Sequence, residues 1–317
     1  MRTYCFGVDM SARRRSLSRV APLAGVVIGI AGVAFIARTL VTRWDDVRES
    51  FSRVDVLPLV ASVIIGQMAM TLIGAVWVHL LQSRGHHAPR RRAMAWYYVG
   101  QLGKYVPGGI WPIVGRAELA VRGGVSRGDA YKATGYSLVS TYAAASVAVG
   151  AGSIASWTHP VVGLAVIVAF ACGWFLLGSP GFLSRFSATV ARVGAGSVAL
   201  PPRSEFFALT AVHVPAWVLM SLSTSVTAHA FGAHIGLARM LFVTSLSWLA
   251  GFVVVGVPGG IGVRESIFTA LAGGTIGTPL AVSLALVSRV VFISVDLIGA
   301  AVSSAVAGAS RDGSTEP

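Results

Sequence analysis

The chain has 317 residues, of which 55% are hydrophobic and only 12% are charged, and its mean hydropathy is +0.74. A soluble domain carries about 25% charged residues, so this composition excludes an ordinary soluble enzyme and indicates an integral membrane protein. The net charge of +13 comes from cations in short segments between apolar runs. That distribution is typical of cytoplasmic loops rather than of a nucleic-acid-binding surface. Cys5 and Cys172 form neither a disulfide framework nor a metal-ligand pattern.

Six apolar runs have the length of a membrane-spanning helix. They cover residues 20–41, 56–82, 129–152, 160–178, 205–231 and 279–307. The first run follows a basic segment, residues 1–19, and we interpret it as a retained signal-anchor helix because no cleavage site closes it. Basic loops near residues 83–92, 122–132 and 179–204 predict that these loops and the N-terminus face the cytoplasm. Residues 309–317 form a polar tail.

Two further apolar regions, residues 94–122 and 238–274, are interrupted by the same five-residue motif. It reads Val106-Pro107-Gly108-Gly109-Ile110 in the first and Val257-Pro258-Gly259-Gly260-Ile261 in the second. Proline lacks an amide hydrogen and glycine has little helical preference, so both copies of the motif break a helix. A broken helix is tolerated at membrane depth only where protein or a water-filled cavity receives the freed backbone groups. We therefore predict an all-α polytopic membrane protein of about six to eight transmembrane helices with two re-entrant hairpins.

The order of these elements predicts an inverted repeat. A single membrane domain, residues 20–308, would contain one repeat at about residues 20–152 and a second at about residues 160–308. The first hairpin opens to the inside and the second to the outside, which is the plan of many transporters. Residues 238–256 are long enough to span the membrane alone. If this segment does span the membrane, the C-terminus lies outside and the two halves are no longer inverted relative to each other.

Charged side chains accompany both breaks and the last apolar run. Arg289 and Asp296 lie seven residues apart, about two helical turns, and therefore share a helix face. Charges inside a membrane are functional candidates by default. A helix N-terminus beside a guanidinium also suits a phosphate group. We predict that the following residues bind substrate: Lys104, Pro107, Gly108, Gly109, Arg116, Glu118, Pro258, Gly259, Gly260, Arg264, Glu265, Arg289 and Asp296.

An alternative interpretation gives the same charges a structural role. Arg116 with Glu118, Arg264 with Glu265, and Arg289 with Asp296 could be neutralised pairs that hold the hairpins in register. The aromatic residues near the predicted span ends, among them Trp96, Tyr97 and Tyr98, are expected to be interfacial anchors. His213 is assigned to helix packing.

The motifs around the two breaks resemble a known family. The run Gly100-Gln101-Leu102-Gly103-Lys104-Tyr105-Val106-Pro107-Gly108-Gly109-Ile110-Trp111, followed by Gly115-Arg116, is similar to the lysylphosphatidylglycerol synthase transmembrane region, also called the flippase-like domain family. The later Pro258-to-Glu265 segment and Arg289 fit the same pattern, and the resemblance covers about residues 20–308. In bifunctional members this region moves a charged phospholipid between leaflets, while a separate cytosolic domain attaches lysine to phosphatidylglycerol. The resemblance implies the flippase-like part here, and we expect no lysyl transfer and no other enzymatic activity.

Three functions are compatible with the sequence. The favoured one is translocation of an anionic or zwitterionic phospholipid, or of a polyprenyl- or otherwise lipid-linked substrate, between the leaflets of the plasma membrane. The others are a non-transporting membrane partner subunit and a membrane-embedded lipid-phosphate transferase. The sequence has no ATP-binding P-loop, and we expect no cofactor and no metal. Membrane lipids are the predicted partners, nucleic acid is not, and protein partners stay open.

Overall fold

The computed structural model describes residues 34–39, 41–52, 54–85, 88–106, 110–177, 202–253 and 260–312. Every regular element in these ranges is helical, which confirms the predicted all-α polytopic membrane protein. Besides a helical stretch at residues 34–39, the described elements are α1 Trp44–Ser52, α2 Val56–Gln82, α3 Arg90–Gln101, a 3₁₀ turn Leu102–Tyr105, α4 Trp111–Arg122, α5 Arg127–Ala155, α6 Pro160–Leu177, α7 Arg203–Ala230, α8 Leu237–Val253, α9 Val263–Ile276 and α10 Thr278–Asp312.

Four of these helices are long and apolar enough to cross a membrane. They are α2, α5, α7 and the Thr278–Ala309 part of α10, and they coincide with four of the predicted spans. The predicted span at residues 160–178 is helix α6, Pro160–Leu177, which is apolar throughout. The basic segment 1–19, most of the predicted signal anchor at residues 20–41, and the end of the polar tail lie outside the described residues.

Both interrupted regions fold as pairs of helices on either side of the break. α3 packs against α4, and α8 packs against α9. The described part of α8, Leu237–Val253, runs up to residues that lie outside the described ranges. The helix pairs have the form expected of re-entrant hairpins, and their orientation in the membrane stays a prediction.

Glycine allows the two helices of each hairpin to approach closely. A Cβ atom on Gly100 of α3 would lie 2.6 Å from Cβ of Arg116 on α4. In the second hairpin, a Cβ atom on Gly260 would lie 2.8 Å from Cα of Gly251 on α8. Gly100 and Gly251 each precede the proline of their own break by seven residues. The two hairpins are therefore closed by glycine at corresponding positions.

The start of α9 is fixed by a local backbone arrangement. Gly262 has φ +83°, in the left-handed region that favours glycine, and its amide donates a 2.7 Å hydrogen bond to Oε2 of Glu265. A carboxylate in the first turn of a helix satisfies a free N–H group and interacts favourably with the helix dipole. Gly262 is thus the N-cap residue of α9, and the side chain of Glu265 in the first turn satisfies its amide.

The two halves contact each other in a reciprocal pattern. α3, the first helix of hairpin one, packs on α10, and α8, the first helix of hairpin two, packs on α5. α2 likewise packs on α10, while α7 packs on α5. The most extensive interface joins α2 to α7, where Oγ of Ser223 donates a 2.7 Å hydrogen bond to the carbonyl of Ser62. Small residues at both reciprocal contacts, Gly152 on α5 and Gly299 on α10, lie against α8 and α3.

Gly152 provides a test of this close packing. Its Cβ atom would lie 2.6 Å from the amide nitrogen of Phe242 and 2.7 Å from the carbonyl oxygen of Ala238, and neither backbone atom can move without displacing α8. We expect Gly152→Leu to lower the free energy of unfolding by about 1–3 kcal/mol, since overpacking forces helices apart. The measurement is thermal unfolding in detergent. Gly135→Leu on the same helix, where a Cβ atom meets nothing within 4 Å, is the control, and equal effects of the two changes would contradict the packing described.

Candidate functional site

Five of the predicted site residues lie outside the described part of the chain. They are Pro107, Gly108, Gly109, Pro258 and Gly259. The next glycine, Gly260, is buried, has φ +67° and packs against Gly251. The remaining predicted site residues are all charged, and most of them are drawn together around helix α10.

Asp296 on α10 binds the end of the first hairpin. Its Oδ2 atom lies 2.6 Å from Nζ of Lys104 and accepts a 2.5 Å hydrogen bond from the hydroxyl of Tyr105. The side chain of Asp296 is 1% exposed and that of Lys104 is 18% exposed. Both partners belong to the 3₁₀ turn just before the first break, so this ion pair fixes the position of the break relative to α10.

Arg289 on α10 binds the second hairpin in the same way. Its guanidinium forms a buried ion pair with Oε1 of Glu265, whose other oxygen accepts from the amide of the N-cap glycine of α9. Arg264 beside it lies over the indole ring of Trp248 on α8, 4.0 Å from the ring centroid, and 5.6 Å from the ring centroid of Phe292 on α10. Cation–π contacts of this kind stabilise a desolvated guanidinium. Charges and aromatic rings therefore join α8, α9 and α10 at the second break.

Arg116 on α4 is buried in a different environment. It is 4% exposed, and its guanidinium carbon lies 5.6 Å from the ring centroid of Tyr97. Within the described residues it forms no ion pair, and its Nε atom is buried without a hydrogen-bond partner. An unpaired charge in an apolar interior is costly, so this arginine is the least satisfied charge of the described site.

Glu118 lies apart from the other predicted site residues. Its carboxylate forms an ion pair with Arg127, with Nη1 and Oε1 2.7 Å apart, and accepts a 2.8 Å hydrogen bond from the hydroxyl of Tyr131. The Arg127 side chain is 67% exposed, so this pair is at the surface of the bundle. Two residues along a helix point about 200° apart, which is why Glu118 cannot face the same way as Arg116.

The pairing of charges thus differs from the pairs considered from the sequence alone. Arg116 with Glu118 and Arg289 with Asp296 are not the ion pairs that form. Arg289 and Asp296 share a helix face as expected, but each takes its partner from a different hairpin. Sequence spacing reveals neighbours within one helix, whereas Glu265 lies 24 residues from Arg289, and Tyr105, which bonds to Asp296 beside Lys104, lies 191 residues from Asp296.

Several neighbours of the charged residues were not identified as site residues. Tyr97 and Tyr98, expected at the membrane interface, are 0% and 3% exposed, and the Tyr98 hydroxyl bonds to Gln67 and Thr71. Other buried polar atoms lack a hydrogen-bond partner within the described residues: Gln67 Oε1, Asp296 Oδ1, Trp248 Nε1, Ser137 Oγ, Thr141 Oγ1 and His213 Nε2. No sequence signal distinguished these side chains from packing residues, because their pattern depends on how the helices assemble.

The buried pair of Lys104 and Asp296 can be compared with the exposed pair of Arg127 and Glu118. We expect Asp296→Asn to lower the free energy of unfolding by about 3–5 kcal/mol, because it leaves a desolvated ammonium unpaired. Glu118→Gln is the control, with an expected loss of about 0–1 kcal/mol. Denaturant unfolding in detergent measures both. Replacing the buried pair together, as Lys104→Met with Asp296→Leu, should recover most of the loss, and failure to do so would argue against charge pairing as its cause.

Comparison with known proteins supplies the family of this chain. No curated protein matches it. The model of one protein family, described as the lysylphosphatidylglycerol synthase TM region, matches residues 23–299 and so covers nearly all of the membrane domain, including both hairpins and the α10 charges. The resemblance inferred from the two Pro-Gly-Gly motifs is thereby confirmed. This chain is a multi-pass membrane protein related to lipid handling, and it belongs to the lysylphosphatidylglycerol synthase TM region family.

Proposed function

We propose that this protein moves an anionic or zwitterionic phospholipid, or a lipid-linked substrate, between the leaflets of the cytoplasmic membrane, with its N-terminus in the cytoplasm. The observation that carries the proposal is the attachment of both broken helices to a single helix by buried ion pairs. Lys104 and Tyr105 bind Asp296, and Glu265 binds Arg289. A polar centre of this kind inside an apolar bundle is the arrangement that a charged headgroup needs in order to cross the membrane.

The reciprocal helix contacts support an inverted repeat. In such a repeat α2, α3 and α5 of the first half correspond to α7, α8 and α10 of the second. The contact of α3 with α10 then corresponds to the contact of α8 with α5, and the contact of α2 with α10 corresponds to the contact of α7 with α5. A pseudo-two-fold axis between α2 and α7 would generate this pattern, with one repeat at about residues 20–152 and the other at about residues 160–308. In transporters with such repeats, rocking of one half against the other opens the central site to each side in turn.

Ion pairs between the hairpins and α10 suit this alternation. An ion pair inside the bundle holds one arrangement firmly, and a zwitterionic ligand that pairs with both partners leaves no charge unpaired. A phosphate near Lys104 or Arg289 would compete with Asp296 or Glu265, and an ammonium group would compete in the opposite sense. A headgroup that carries both an anionic and a cationic group would therefore release a hairpin from α10 with every charge paired. Energy from a gradient, a partner or the lipid imbalance would give the movement its direction.

The inverted repeat predicts which loops are outside. In a variant without Cys5 and Cys172, we expect His234→Cys before α8 and Thr275→Cys at the end of α9 to react with a membrane-impermeant thiol reagent added outside, because a re-entrant hairpin returns to the side it left. Gly124→Cys, after the first hairpin, should react only from inside. All three positions are exposed, so burial does not limit the reaction. Inside labelling of Thr275→Cys would mean that α8 spans the membrane alone, which removes the inverted repeat.

Lipid movement itself is measurable in vesicles. Purified protein is reconstituted into phosphatidylcholine and phosphatidylglycerol vesicles that contain fluorescent phospholipids, and dithionite reports how fast the inner-leaflet label reaches the outside. We expect Arg264→Ala and Arg289→Ala to slow this step on the order of tenfold, since each removes a buried charge contact. Arg127→Ala, at the exposed pair with Glu118, is the matched control. A wild-type rate equal to that of protein-free vesicles, with every headgroup tested, would leave the partner-subunit function as the better explanation.

A further inference from the structure

We infer that Trp248 links the two hairpins, so that displacement of the first hairpin weakens the attachment of the second. This inference rests on the proposed function and assigns a positioning residue to its site. Trp248 lies on α8, the first helix of the second hairpin, and was absent from the predicted site. Its indole ring meets a cation from each hairpin, Lys104 from the first and Arg264 from the second.

The first step is an arrangement that both hairpins repeat. In the first hairpin, the guanidinium carbon of Arg116 on α4 lies 5.6 Å from the ring centroid of Tyr97 on α3. In the second, the guanidinium carbon of Arg264 on α9 lies 4.0 Å from the ring centroid of Trp248 on α8. Tyr97 and Trp248 each precede the proline of their own break by ten residues. Each ring therefore joins the two helices of its own hairpin.

The second step is the support behind each ring. Trp77 on α2 lies 6.1 Å from Tyr97, and Trp217 on α7 lies 6.3 Å from Trp248, measured between ring centroids. Both supporting tryptophans donate their indole N–H to α5, in hydrogen bonds of 3.0 and 2.9 Å. Because helices on either side hold these supports, the two rings are fixed platforms for the cations that meet them.

The third step is the difference between the two platforms. The Trp248 ring also meets Lys104 of the first hairpin, whose Nζ atom lies 5.8 Å from the ring centroid, within the roughly 6 Å at which a cation–π contact acts. The ring of Phe292 on α10 lies edge-on to Trp248 at 5.5 Å and keeps the indole beside the helix that carries Asp296. Among the described residues, the Tyr97 ring meets no cation of the second hairpin.

A shared ring makes the two attachments depend on each other. Lys104 is held by Asp296 and by the indole of the second hairpin, so a movement of α8 takes away one of its two contacts. A movement of Lys104 in turn removes one of the cations that hold the indole. Coupling between two sites is reciprocal, so displacement of either hairpin makes displacement of the other easier. Headgroup binding at the first hairpin would thus reach the second through Trp248.

The test is amide hydrogen exchange of purified protein in detergent, measured by mass spectrometry in the second helix of each hairpin, α4 and α9. Lys104→Met removes the shared cation from the first hairpin. We expect faster exchange in α4 and also about 2- to 30-fold faster exchange in α9, the factor that corresponds to one cation–π contact. Arg264→Met, with exchange measured in α4, repeats the test in the reverse direction.

Arg84→Met is the matched control for Lys104→Met. The Arg84 guanidinium also lies over a ring, 4.7 Å from the centroid of Tyr136, and its Nη2 atom lies 3.9 Å from Oε1 of Glu205. These partners belong to α5 and α7 rather than to a hairpin. We expect Arg84→Met to leave exchange in α9 at the wild-type rate.

Two variants of the ring separate a link through Trp248 from an effect carried by α10. In a Trp248→Leu background, Lys104→Met should still speed exchange in α4 but should leave α9 at the rate of Trp248→Leu alone. Trp248→Phe keeps an aromatic ring and should retain the response of α9. A response of α9 that persists without the ring would overturn the inference, because it would then pass through Asp296 and α10.

The comparison made with Trp248 in place is decisive by itself, so the result does not depend on whether the ring variants fold. A Lys104→Met protein whose α9 exchanges no faster than that of Arg84→Met would overturn the inference. Linked exchange of the two hairpins without lipid movement in vesicles would contradict the proposed function and leave the link standing. Lipid movement by a protein whose hairpins exchange independently would do the reverse.

Discussion

The cost of an unpaired charge inside an apolar bundle is the constraint on which the rest of this structure depends. Helix α10 carries one cation and one anion at depth, and neither finds its partner on α10 itself. Asp296 takes Lys104 from the first hairpin and Arg289 takes Glu265 from the second. Because a lone buried charge costs several kcal/mol, each hairpin is held where its charge meets α10. The ion pairs position the hairpins far more than they add to net stability.

Close helix packing makes this arrangement possible. Inside a membrane, helices gain little from hydrophobic burial against one another, so van der Waals contact and hydrogen bonds between helices carry association. Gly100 and Gly251 bring the two helices of each hairpin together, and Gly152 and Gly299 bring the hairpins against the opposite half.

The two halves share a plan but differ in chemistry. In the second hairpin, Arg264 has aromatic rings on α8 and α10, and the adjacent Glu265 pairs with Arg289. In the first hairpin, Arg116 has one tyrosine ring and no carboxylate among the described residues, since its neighbour Glu118 points to the surface. Among the described residues, each break thus retains one arginine without an ion pair, and this arginine lies against two aromatic rings at the second break and one at the first.

The sequence by itself determined the class of protein, four of the spanning helices, the two broken hairpins and the family, because these follow from local properties: apolar length, helix-breaking residues and motif spacing. It also identified the charged residues that meet at α10. Tertiary structure alone decided which charge pairs with which, that Glu118 faces outward, and that the ring of Tyr97 lies beside Arg116. Partners of a buried charge come from helices distant in the chain, and packing selects them. Periodicity along one helix reveals the face on which a side chain lies, not the side chain that it meets.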